Sequence, residues 1–153
     1  MLPGPSLGPR LVVGLEQGRS SVELGASALL ARSAALRGAR APAGDIHWIG
    51  AHIAACRELR MPLSTCVGGE LGQLVGTGSG VDEPVTARGT WLAAVVGASW
   101  RQPFRSLQDP FRWEIALNAA FALVRPEFGF DGIGVLHRPS AVSGRLSLGL
   151  GWH

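Results

Sequence analysis

Large apolar residues recur at every second position of two long segments of the chain. In residues 112–123 the alternating apolar series is Trp113, Ile115, Leu117, Ala119, Phe121 and Leu123. In residues 142–152 the series with the same period is Val142, Gly144, Leu146, Leu148, Leu150 and Trp152. A period of two sustained over this length is typical of a β-strand that lies between two different environments. The pattern predicts long strands with one apolar face.

Five further segments resemble these two, so seven strands are predicted. Their bounds are Arg10–Gln17, Ser21–Arg32, Asp45–Arg57, Leu63–Gly76, Arg88–Phe104, Phe111–Arg125 and Ala141–His153. Several exceed the five or six residues of ordinary strands and approach the 9–11 residues of a tilted membrane strand. The Ala-rich segments Ser21–Arg37 and Trp48–Arg60 also allow a helical interpretation.

The connections between these strands alternate in length. The short ones are Gln17–Ser20, Glu58–Pro62 and Arg105–Pro110. The long ones are Ser33–Gly44, Thr77–Ala87 and Pro126–Ser140. Short periplasmic turns and long external loops are typical of outer-membrane barrels. We therefore predict an all-β fold, an antiparallel up-and-down transmembrane β-barrel.

One domain is expected, with residues 1–9 as an external segment and residues 10–153 as the barrel. Bacterial outer-membrane barrels have an even number of strands. We therefore expect one ascending strand and an export signal ahead of the first strand, and eight strands in the complete form. Residues 1–6 do not have the basic and apolar regions of a secretory signal.

The two faces of the strands differ in chemistry. The residues assigned to the outside are Val13, Leu15, Val22, Leu24, Leu30, Ile49, Ile53, Val67, Leu71, Leu92, Val96, Ile115, Leu117, Leu123, Leu146, Leu148 and Leu150. The polar network assigned to the interior is Glu16, Glu23, His52, Glu70, Arg101, Arg112, Glu114 and Arg145. Because buried charges must be paired, we predict a Glu–Arg network that fills the barrel and leaves no open pore.

Register and membrane depth follow from the same strands. Placing Arg101 opposite Glu114 avoids the like charge of Arg112, so this register is favoured. An interfacial aromatic belt is predicted at the short-turn rim, because tryptophan prefers the membrane–water interface. Its members are Trp100, Trp113 and Trp152.

Two cysteines flank the turn near Met61. Cys56 and Cys66 have the same parity, which predicts a cross-strand disulfide. The same pairing places His52 opposite Glu70. A metal site of His52 with the two cysteines lacks a fourth ligand and the spacing of a zinc site, so no metal or cofactor is expected.

Composition narrows the function classes. Charged residues make up 16% of the 153 residues, below the roughly 25% of soluble domains. The basic residues are all Arg and are scattered, so no nucleic-acid partner is expected. The segment Gly76–Gly80 lacks the Lys-Ser/Thr of a phosphate loop. No catalytic residues are assigned. The alternatives are a lipid-modifying barrel enzyme using His47 and a soluble barrel that binds a hydrophobic molecule.

Residues 10–153 resemble small, eight-stranded bacterial outer-membrane β-barrel proteins. The resemblance is carried by the Cys56 and Cys66 pair, by Arg125-Pro126-Glu127-Phe128 and by His137-Arg138-Pro139-Ser140. It implies a location in the bacterial outer membrane, with membrane lipid and the barrel-assembly machinery as partners. It implies no known catalytic residues, so we expect a structural or surface-interaction role with an external ligand that the sequence does not identify.

Overall fold

The computed structural model of the protein describes residues 6–35, 43–79, 86–104, 111–130 and 134–152. The strands in these ranges are β1 (Arg10–Gln17), β2 (Ser20–Ala35), β3 (Ala43–Arg60), β4 (Leu63–Ser79), β5 (Thr86–Pro103), β6 (Phe111–Val124), β7 (Phe128–Phe130), β8 (Gly134–His137) and β9 (Val142–Trp152). The predicted all-β class is confirmed. The helical alternatives are wrong, because β2 and β3 occupy the described residues of both segments. Within the described ranges, no helix has the length and apolarity needed to cross a bilayer.

Seven long strands form one antiparallel up-and-down sheet in the order β1-β2-β3-β4-β5-β6-β9. The sheet is curled, as shown by side chains of distant strands that meet on its concave side. Arg101 on β5 contacts Glu23 on β2, and Arg145 on β9 contacts Glu70 on β4. The strands β1 and β9 are the two edges of this half-barrel. The architecture is compatible with a β-barrel.

The short turns lie at one end of the sheet, which we call the turn end. Gln17 pairs with Ser20, and Gly18 has a φ of 63°. Glycine tolerates this left-handed conformation, which suits the first position of a two-residue hairpin turn. The other end, where the long connections leave the sheet, is the loop end. The turn between β5 and β6 lies outside the described residues.

The long connections contain more structure than the sequence indicates. Ala34 pairs with Gly44 and Ala35 with Ala43, which shortens the connection between β2 and β3. The predicted loop Pro126–Ser140 contains the β7–β8 hairpin. Both features were missed because their strands, or strand extensions, are too short to establish a period of two.

The alternation of exposed and buried residues follows the predicted faces. All residues assigned to the outside are exposed except Leu92, which is half-buried. A register shift between Leu92 and Ala93 accounts for this exception. The buried apolar cluster, which we call the apolar plug, consists of Ile46, Trp48, Leu74, Trp91, Ala93, Ala120 and Phe128.

Candidate functional site

The outer surface of the sheet is apolar along every long strand, and we call it the apolar wall. It comprises Leu11, Val13, Leu15, Val22, Leu24, Leu30, Ile49, Ile53, Val67, Leu71, Val96, Ile115, Leu117, Leu123, Leu146, Leu148 and Leu150. Leu15 is 81% exposed and Leu148 is 76% exposed. Monomeric soluble proteins rarely present contiguous apolar patches beyond a few hundred Å². A surface of this kind indicates contact with an apolar medium or partner.

The most buried charge of the concave side is the carboxylate of Glu70. Its side chain is 1% exposed, and both carboxylate oxygens accept hydrogen bonds from Arg145. Oε1 also accepts a hydrogen bond of 2.7 Å from the indole N–H of Trp91. The guanidinium of Arg145 lies 5.0 Å from the centroid of the Trp48 ring. We call Glu70 and Arg145 the central pair, a bidentate and charge-assisted contact.

A second group of charges, the turn-side cluster, lies nearer the turn end. Its members are Glu16, Glu23, Arg101, Arg112 and Glu114. Arg101 donates from Nε to Glu114 Oε2 at 3.1 Å and from Nη2 to Glu23. Glu16 lies 3.7 Å from Arg101 and 3.8 Å from Arg112. Arg101 is opposite Glu114 in the ladder, so the predicted register is confirmed.

His52 lies opposite Glu70 in the ladder, as predicted. Its Nε2 is 3.0 Å from Nη2 of Arg10. Arg10 was not among the predicted interior residues, although it has the same inward parity on β1 as Glu16. All eight residues of the predicted network therefore have a polar contact on the concave side. They form two groups, the central pair and the turn-side cluster, and His52 with its neighbour Arg10 lies beside these groups.

The apolar plug was also missed. Trp48 and Trp91 have exposed fractions of 1% and 0%. Their parity matches that of His52 and Arg101, so strict alternation places them inside. A Cβ at Gly72 would come within 2.6 Å of Trp48 Nε1, so the indole lies directly against this glycine. Phe128 is the member of the plug that comes from the connection between β6 and β9.

The predicted tryptophan belt has two members whose side chains are described. Trp100 is 43% exposed and Trp113 is half-buried. Trp152 pairs with Phe111 in the ladder, and its side chain lies outside the described part. The backbones of all three residues lie at the turn end. Their role at a membrane interface stays a prediction.

Cys56 and Cys66 are directly opposite in the ladder and form a disulfide with a Cα–Cα distance of 4.0 Å. The predicted pairing is confirmed in the structure. The carboxylate of Glu23 and the two sulfur atoms lie within 4.8 Å of one another. Bridged sulfurs offer no thiolate to a metal ion, so this group does not form a metal centre.

The remaining candidates carry no catalytic assignment. His47 is exposed on the outer face of β3, where it pairs with Val75. Gly76 lies within β4, and a Cβ at this position would come within 3.1 Å of the Phe128 ring. The close contact favours glycine here. The acidic residues Asp82 and Glu83 lie outside the described residues.

Comparisons with protein-family models, with curated proteins and with solved structures found no match to this chain. The geometry alone defines the class, which is a curled, antiparallel, up-and-down β-sheet protein that is compatible with a β-barrel.

Proposed function

We propose that the chain is a bacterial outer-membrane β-barrel protein with a structural or surface-interaction role and no open pore. The observation that carries this proposal is the sidedness of the sheet. Leu117 and Leu148 are exposed on the convex face, while Glu70 and Arg145 meet on the concave face. A soluble barrel that holds a hydrophobic ligand has the opposite arrangement, with apolar side chains inside.

The energetics favour a bilayer around the apolar wall. Burial of one Leu or Val side chain contributes about 1.5–3 kcal/mol, and the wall contains many such residues. Strands cross hydrocarbon only where their backbone groups are paired in a ladder. The alternation of short and long connections supports an orientation with the turn end in the periplasm. The expected partners are outer-membrane lipid and, during insertion, the barrel-assembly machinery.

The absence of an open pore is inferred from the apolar plug. Trp48, Trp91 and Phe128 fill the concave side toward the loop end. The central pair and the turn-side cluster cross the concave side between the plug and the turn end. Because these side chains obstruct a continuous channel, we expect the external loops to be the part of the chain that meets ligands or partners.

The test is refolding of the purified chain into detergent micelles or lipid vesicles, followed by electrophoresis with and without heating. A folded membrane barrel gives a heat-modifiable shift in mobility. Leu117→Arg, near the centre of β6, is expected to lower the free energy of unfolding in vesicles by about 2–4 kcal/mol. Leu15→Arg, near the turn end, is the matched control and is expected to cost about 0–1 kcal/mol.

A soluble fold gives a different result. Exposed Leu to Arg substitutions on a water-facing surface change stability by about 0.5 kcal/mol or less, whatever their position along the strand. Equal and small effects of the two variants, together with a folded monomer in detergent-free buffer, would refute the membrane proposal.

A further inference from the structure

The edge strands β1 and β9 face each other across an open seam. They are the terminal strands of the described ladder. Across the seam, Nη1 of Arg10 lies 3.4 Å from Oγ of Ser147. A cavity of about 1190 Å³ is lined by both edge strands and by inward side chains such as Glu114. A Cβ at Gly149 or Gly151 would have no atom within 4 Å, so the inner face of β9 is open here.

The two edges run in the same direction. β1 ends at the turn end with Gln17, and β9 ends there with Trp152 opposite Phe111. β1 and β9 therefore cannot pair with each other in the antiparallel manner of the remaining sheet. A single strand placed between them, running toward the loop end, is antiparallel to both.

The hydrogen-bonding pattern of the edges is complementary to such a strand. Alternate residues of an antiparallel strand bond to opposite neighbours. Pro9 O accepts from Ala28 N at 3.1 Å, so the outward-facing residues of this edge bond to β2. The inward-facing residues of β1, such as Val12, consequently direct their backbone groups toward the seam.

The opposite holds for β9. Ala141 O accepts from Ala122 N at 2.8 Å, so the inward-facing residues of this edge bond to β6. The outward-facing residues, such as Leu148, direct their N–H and C=O groups toward the seam. One inserted strand would bond to β1 through its inward residues and to β9 through its outward residues, which continues the alternation of the whole sheet.

We propose that the seam is an acceptor site for one extended peptide strand. The strand runs antiparallel to both edges, with apolar residues at outward positions and small or polar residues at inward positions. This proposal rests on the proposed function, because unpaired backbone groups are most costly in hydrocarbon. The strands Arg10–Gln17 and Val142–Trp152 contain no proline and no register shift, which are two of the features that keep sheet edges from pairing.

The occupant comes from outside these residues. A membrane strand needs about 9–11 residues, and the longest segment outside the described ranges is residues 36–42. A second copy in the same membrane orientation presents edges that run in the same direction as these, so its pairing would be parallel. The seam therefore favours a single extended strand from outside these residues over a second copy.

The experiment measures the binding of a synthetic peptide to the chain refolded in detergent micelles. The probe is a peptide of alternating Leu and Ser with a fluorophore, and its control has the same composition with Leu and Ser in two blocks. Fluorescence anisotropy is expected to show saturable binding of the alternating peptide, about tenfold tighter than binding of the block peptide.

Variants of Leu148 test the backbone contact. Leu148→Pro removes an N–H that faces the seam, in an edge strand where proline is tolerated. It is expected to weaken binding of the alternating peptide about tenfold, the effect of one lost hydrogen bond. Leu148→Ala keeps the N–H and is expected to leave the affinity nearly unchanged.

The outcomes separate the two proposals. A chain that gives the heat-modifiable shift but binds neither peptide, or both equally, overturns the acceptor site and leaves the membrane proposal standing. Dimers that cross-link through residues of β1 or β9, in a chain that does not bind the alternating peptide, place a second copy on the seam and also overturn it. A chain that does not fold in micelles contradicts the proposed function, and the acceptor site fails with it.

Discussion

Replacing Glu70 by Gln tests the charged interior most directly. The Glu70 side chain is 1% exposed, and that of Arg145 is 24% exposed. Gln keeps an oxygen that can accept the hydrogen bond from Trp91, but it removes the negative charge. The guanidinium of Arg145 then stays on the concave side without this carboxylate.

The expected loss of stability follows from the burial of the two groups. Breaking a buried ion pair by removing one partner costs about 3–5 kcal/mol. Arg145 retains partial hydration and its position over the ring of Trp48, and such a cation–π contact contributes about 0.5–2 kcal/mol. We therefore expect Glu70→Gln to lower the free energy of unfolding by about 3 kcal/mol.

The chain contains a matched control in the exposed pair Glu127 and Arg138. Its Nε–Oε1 distance is 3.0 Å, and the side chains are 49% and 55% exposed. Because solvent screens such pairs, Glu127→Gln is expected to cost less than about 1 kcal/mol. The two pairs therefore compare the same charge removal in a buried and an exposed setting.

The assay is equilibrium unfolding by urea of the protein in lipid vesicles, followed by tryptophan fluorescence. A double-mutant cycle with Arg145→Met isolates the interaction, and a coupling of about 2 kcal/mol is expected. If Glu70→Gln costs no more than Glu127→Gln, or if the effects of the two central-pair substitutions simply add, the central pair is not a stabilising buried contact.

Two further predictions use the same unfolding assay. Replacing Cys56 and Cys66 together by Ser is expected to lower stability by about 2–3 kcal/mol, since their disulfide closes a loop with a sequence separation of 10; an unfolding midpoint of the wild type that does not move on reduction would contradict this. Gly72→Ala is expected to cost about 1–3 kcal/mol, because its Cβ would come within 2.6 Å of the Trp48 indole. Gly149→Ala adds a Cβ into open space and is expected to be nearly neutral; equal effects of the two glycine variants would contradict the close packing.

The sequence predicts the seven long strands well because each is long enough to repeat its period of two several times. The pairing of Arg101 with Glu114 follows from charge, and the pairing of Cys56 with Cys66 follows from parity and a short turn. Both are local properties of adjacent strands, so neither requires knowledge of how the sheet curls.

Contacts across the concave side could not be derived in the same way. Glu70 meets Arg145 although β4 and β9 are not neighbours in the ladder. Their meeting depends on the curvature of the whole sheet, which a period along one strand does not encode. The burial of Trp48 was missed for another reason. Its parity on β3 places it inside with His52, but a large aromatic side chain was not expected in a small, charged interior.

The β7–β8 hairpin changes what a partner would meet at the loop end. Phe128 is 6% exposed, Pro139 is fully buried, and Pro126 lies close against Gly89. The longest connection is therefore seated on the sheet by both of its arms. A ligand that contacts these two arms would meet backbone that is already ordered, so a smaller entropic cost of loop ordering would oppose its binding.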